Sequence, residues 1–134
     1  MAIFSRTSLL GLLANVFIPI ALANEYDTTT SIFTPKVQGI YSIIGIVDFV
    51  PSIPNSTYTN TISIFVNGGL AVAYDVDFMG TTAFVNVVNV NAILQLNAGD
   101  QVHISVAPQV AGSVRSRGSD GSTGTSFQVA RFPY

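Results

Sequence analysis

Residues 39–50 read GIYSIIGIVDFV, dense in β-branched and aromatic side chains. Pro51 and Pro54 bracket the end of the run, because proline cannot continue a central strand. A period of two sorts this strand into Tyr41, Ile43, Gly45, Val47 and Phe49 on one face and Ile40, Ser42, Ile44, Ile46, Asp48 and Val50 on the other. Both faces are mostly apolar, unlike an antiparallel strand with one wet side. The second face is therefore expected to be covered by another layer or another subunit. A polar stretch, residues 55–60 (NSTYTN), reads as a loop. Two further runs, 61–66 and 70–78, flank Asn67-Gly68-Gly69, and Asn-Gly tolerates the positive φ that a tight hairpin turn needs. On the second arm Leu70, Val72, Tyr74, Val76 and Phe78 share one face, with Ala71, Ala73, Asp75 and Asp77 opposite.

The alternation continues over 85–96, with Val88, Val90, Ala92, Leu94 and Leu96 inward, Asn89, Asn91 and Gln95 outward, and Ile93 as the exception. Asn97-Ala98-Gly99-Asp100 turns the chain into a strand over 101–107, closed by Pro108. Residues 112–125 (GSVRSRGSDGSTGT) form a Gly/Ser-rich polar segment, read as a mobile loop, and 126–132 is the last strand. Short strands at regular intervals, with no amphipathic helix and no repeat, predict one all-β sandwich or jelly roll. The first 23 residues have two readings. Arg6, an apolar stretch from Leu9 to Ile20 and Ala21-Leu22-Ala23 imitate a secretory signal with its cleavage site. Asn15 and Pro19 interrupt that stretch, and 2–5 and 16–21 read equally as two short strands.

A chain of 134 residues supplies one ordinary core. Its charged fraction is 9%, against roughly 25% in a typical soluble domain. So little charge implies that extra surface is hidden between subunits, since no run of about 18 apolar residues offers a membrane span instead. Five Lys and Arg against seven Asp and Glu leave no basic stripe for nucleic acid. Without cysteine there is no disulfide framework, thiolate metal site or cysteine nucleophile.

At several points the chain resembles the C1q domain of the C1q/TNF-like group. Asn24-Glu25-Tyr26-Asp27 followed by FTPKVQGIYSI (33–43) is similar to its leading signature, and LQLNAGDQVHI (94–104) to its L-x-L-x-x-G-D-x-V stretch. SFQVARFPY (126–134) sits where its closing strand ends, and Ala2-Ile3-Phe4-Ser5 is similar to its opening strand. The resemblance is nearest to bacterial C1q-like domains, including those of spore surfaces. It implies a ten-stranded jelly roll spanning 1–134, assembled as a homotrimer with apolar and aromatic side chains around the three-fold axis. It favours the strand reading of residues 1–23, because cleavage after Ala23 would remove the first strands and open a sheet edge. The sequence contains no Gly-X-Y repeat, so clustering on a collagen-like stalk is not expected.

On this basis Tyr41, Ile43, Phe49 and Phe132 are candidates for the trimer interface, with ordinary core as the alternative. His103, between Val102 and Ile104, should point away from the core, toward solvent or the three-fold axis. Arg115, Arg117 and Asp120 are the candidates for touching an anionic ligand, unless they simply solvate their loop. Asp75 and Asp77 could hold Ca²⁺, or keep an exposed strand soluble. Asp100 reads as a turn residue whose carboxylate bonds backbone amides. No other cofactor is expected. One His, no Cys and no motif with catalytic mechanics argue against an enzyme. The expected function is a homotrimeric structural or adhesive module of an extracellular, spore or cell surface. The alternative is a lectin- or cytokine-like domain whose loops grip a glycan or protein.

Overall fold

The computed structural model describes residues 2–4, 9–10, 15–17, 24–80, 85–115 and 124–133, the first three segments by their backbone pairing. Among the described residues twelve strands follow one another: β1 (Ala2–Phe4), β2 (Leu9–Leu10), β3 (Asn15–Phe17), β4 (Tyr26–Asp27), β5 (Ile32–Phe33), β6 (Gly39–Pro51), β7 (Tyr58–Val66), β8 (Ala71–Met79), β9 (Asn86–Leu96), β10 (Val102–Pro108), β11 (Gly112–Val114) and β12 (Ser126–Arg131). Six lie in each of two sheets. The architecture is the expected all-β jelly-roll sandwich. The count exceeds ten because pieces of only two or three residues, such as β2 and β11, form ladders of their own.

The first sheet is built on β6. Along one flank β9 pairs antiparallel from Gly39↔Leu96 to Phe49↔Asn86. The other flank is shared: β12 covers Tyr41–Ile46 and β11 covers Phe49–Pro51. Outside them β3 runs parallel to β12 and β1 antiparallel to β11. The second sheet runs β4-β5-β10-β7-β8, with β2 also on β10, so β8 is an edge strand.

Between the sheets lies one core. The β6 side chains Tyr41, Ile43 and Val47 meet Ile62 and Ile64 of β7 and Val102, Ile104 and Val106 of β10. Phe33 packs edge-on against Tyr41 with centroids 5.7 Å apart, and Tyr26 stacks on Phe127 at 5.2 Å. Each such fully buried apolar side chain contributes roughly 1.5–3 kcal/mol relative to an exposed one. At Gly45 the opposing sheet packs tightly: an added Cβ would sit 3.0 Å from Ile104 Cδ1.

Two boundaries differ from the sequence reading. Strand β7 begins at Tyr58, inside the stretch assigned to a polar loop, because Asn60 finds a buried partner. Its Nδ2 donates to Asn86 Oδ1 at 2.9 Å, across from one sheet to the other. The supposed loop 112–125 also starts as strand β11, with Gly112 and Val114 buried. Only glycine fits there, since a Cβ would overlap the Phe49 ring and the Val50 carbonyl.

Candidate functional site

The outer face of the first sheet carries the residues that alternate with the core positions of β6. Ile40, Ile44, Ile46 and Val50 are each partly exposed there. Residues directly opposite on neighbouring strands share a face. Register thus places Ile93 beside Ser42 and Val87 beside Asp48 on this surface, and they are 68% and 47% exposed. Among the described residues, Asp48 is the one charged position of β6 and β9 on this face. It is fully buried and matched by Arg115.

The interface candidates on β6 require correction. Tyr41, Ile43 and Phe49 are each 0% exposed, so a second subunit cannot reach them. They hold the core face of β6, and the residues free to meet a partner are one position out of phase. A period of two distinguishes the faces without saying which is inside. Phe132 is 45% exposed, and its N–H donates to the Ile40 carbonyl at 2.9 Å, at the end of the open face.

A second apolar row lies on the outer side of edge strand β8. Val72, Tyr74, Val76 and Phe78 are 48%, 69%, 48% and 70% exposed. The pairings Ile64↔Ala73, Ile62↔Asp75 and Asn60↔Asp77 put the opposite row on the core side of the sheet. Asp75 and Asp77 therefore do not line the outer side of β8. Asp75 remains exposed at the sandwich margin, its Oδ1 accepting from Val76 N–H at 2.9 Å. Asp77 Oδ2 accepts from Asn86 Nδ2 at 3.2 Å, extending the Asn60–Asn86 chain. No group of three or more His, Cys, Asp or Glu able to hold a metal ion occurs among the described residues. The Asn60–Asn86–Asp77 chain was not foreseen, because its members come from three separate strands.

Arg115 closes on Asp48 rather than standing free for a ligand. Its Nη2 and Nε donate to the same carboxylate oxygen, at 2.8 and 3.2 Å. The Arg115 N–H bonds the Asp48 carbonyl at 2.8 Å, and Thr125 N–H bonds the Arg115 carbonyl at 3.1 Å. These bonds tie together the two ends of segment 116–123. Arg117 and Asp120 fall within that segment, outside the described residues.

His103 lies on the outer side of the second sheet, opposite the Ile40–Ile44–Ile46 face. Its ring stacks on Phe65 with centroids 5.1 Å apart and planes 9° from parallel. Partial burial depresses its pKa below the ordinary 6.5, which keeps it neutral at pH 7. Asp100 has the turn role expected of it. Its Oδ2 accepts from Asn97 N–H at 2.8 Å and its Oδ1 from Asn67 Nδ2 at 2.9 Å. The Asn67 and Asn97 bonds hold its pKa below the usual carboxylate value.

Residues 16–129 match the profile of the C1q domain. The chain belongs to the C1q domain family. C1q domains are trimeric recognition and adhesion modules of extracellular and surface proteins, a family without a characteristic catalytic activity. Among solved structures, the globular domain of a zebrafish complement 1qA protein is similar. It has 23% identity and a TM-score of 0.48, over 69% of this chain and 71% of that one. No curated protein matches the chain. Among the described residues, no helix of this C1q domain is long and apolar enough to cross a membrane.

Proposed function

We propose that this C1q domain is a non-enzymatic homotrimeric module, structural or adhesive, of an outer surface such as a spore or cell envelope. One observation carries the trimer. The outer face of the first sheet exposes Ile40, Ile44, Ile46, Val87 and Ile93, with no uncompensated charge among the described residues, a face that a soluble domain covers. The β8 row is a second, different apolar surface. Two unlike surfaces on one chain favour head-to-tail contact, which closes into a ring, over a two-fold dimer. The surface location rests on the family and on the resemblance to bacterial C1q-like domains.

Sedimentation tests the proposal. The chain should sediment at about three times its 14.2 kDa mass, and Ile44→Asp should shift it to monomer with an unchanged β-type circular dichroism spectrum. A monomeric wild type at micromolar concentration refutes the trimer.

Recognition is the second reading. The Asp48–Arg115 pair favours it: the buried Asp48 carboxylate holds Arg115, and the Arg115 carbonyl in turn accepts from Thr125 N–H, so the two residues flanking the polar stretch 116–123 are tied together as a scaffold ties a binding segment.

A further inference from the structure

We propose that the cleft between the β4–β5 turn, the β7–β8 turn and the start of β10 binds a neutral saccharide ring. This deepens, and rests on, the recognition reading above; it does not depend on the trimer.

The cleft has a volume of about 200 Å³ and is lined by Thr30, Ile32, Asn67, Gly68, Gln101 and His103. Drug-sized ligands occupy pockets of roughly 300–1,000 Å³, so this one suits a single ring. None of the lining side chains carries a formal charge at neutral pH. The carboxylate next in sequence, Asp100, is already held by Asn67 and by the Asn97 amide. An anion would find no cation here, and a cation no free carboxylate. What lines the cleft is a hydroxyl, two carboxamides and a neutral imidazole, which together both donate and accept. Vicinal sugar hydroxyls need that mixture, and Ile32 offers an apolar surface for a ring's C–H face.

The walls are also fixed before a ligand arrives. Asn67 takes positive φ (55°), and its Oδ1 accepts from Gln101 N–H at 2.8 Å. One side chain thus locks the hairpin turn to the start of β10. On the other side, Asp27 Oδ1 accepts from the N–H groups of Thr29 and Thr30 at 2.8 and 3.3 Å, shaping the β4–β5 turn. His103 is held flat on Phe65, so its ring is oriented without cost at binding. Gly68 leaves the hairpin rim open, since nothing lies within 4 Å of where its Cβ would be. The cleft is on the opposite side of the sandwich from the Ile40–Ile44–Ile46 face, so contacts made through that face leave it accessible. A trimer would present three copies, and multivalent capture compensates for weak single sites.

The test is titration of the full chain with the methyl glycosides of glucose, mannose and galactose and with N-acetylglucosamine, followed on the His103 ring-proton NMR signals. The expected result is a saturable shift with at least one of them, with a dissociation constant on the order of millimolar. Gln101→Ala, a surface change, should weaken binding by about tenfold, read from the sugar side by saturation transfer. Gln95→Ala, on the opposite sheet, should leave it unchanged. No shift with any sugar up to about 100 mM, or a shift unaltered by Gln101→Ala, overturns the cleft assignment. Should the wild type capture a protein or surface with its His103 signals unmoved, the saccharide proposal falls while the recognition reading stands.

Discussion

Gly45 and Gly112 both stand where a side chain would collide, Gly45 with the opposing sheet and Gly112 with the neighbouring strand of its own sheet. At Gly45 the obstacle is the flexible end of Ile104, 3.0 Å from the position of an added Cβ. At Gly112 it is the Phe49 ring and the Val50 carbonyl, and the carbonyl belongs to the paired backbone of β6. Gly45→Ala should therefore cost about 1–3 kcal/mol, as overpacking does, and Gly112→Ala should cost more. Urea unfolding of the two variants checks the order; equal losses would show that β11 can shift away from β6. The same scale holds the pair that sequence could not join. Asp48 and Arg115 are 67 residues apart, and their ion pair depends on β11 lying beside β6.

At the scale of elements, the β7–β8 hairpin was legible from Asn67-Gly68, because both residues tolerate positive φ; they adopt 55° and 67°. The turn does more than reverse the chain, since the Asn67 side chain bonds both Asp100 and the Gln101 amide. Asn67→Ala combines strained backbone with two lost hydrogen bonds and should destabilise by roughly 1–3 kcal/mol. It should also release the wall of the adjoining cleft. Thermal unfolding with hydrogen exchange at Gln101 measures both effects, and an unprotected Gln101 amide in the wild type would contradict the second.

What alternation left open was the side on which each row lies. Strand β6 has two apolar faces, so pattern alone could not choose between Tyr41, Ile43, Phe49 and Ile40, Ile44, Ile46. Packing of β10 and β7 across one of them decided it. On β8 the outcome runs against simple polarity. The row bearing Asp75 and Asp77 takes the core side because register with Ile62 and Asn60 requires it, and the apolar row is left outward.

For the molecule as a whole, β1 and β3 complete the flank of the first sheet, pairing with β11 and β12. We propose that residues 1–23 belong to the working domain. Deleting them should bare the edges of both partners, cost roughly 0.5–1.5 kcal/mol per ladder hydrogen bond lost and promote self-association. Comparison of the full and shortened chains by urea unfolding and light scattering tests this. A shortened chain as stable and as dispersed as the full one would support removal of the segment as a leader.

The one-dimensional pattern sufficed for what depends on neighbours along the chain: the strands, the Asn-Gly turn, the Asp100 turn and, through them, the all-β class. It also implied that some apolar surface needs a partner, because 9% charge cannot cover a domain. The tertiary structure decided which apolar rows face outward, and it assembled the Asp48–Arg115 tie, the Asn60–Asn86–Asp77 chain and the cleft around His103. Each of these joins strands distant in sequence. Their contacts are set by sheet register and by which face the opposing layer takes, and local periodicity encodes neither.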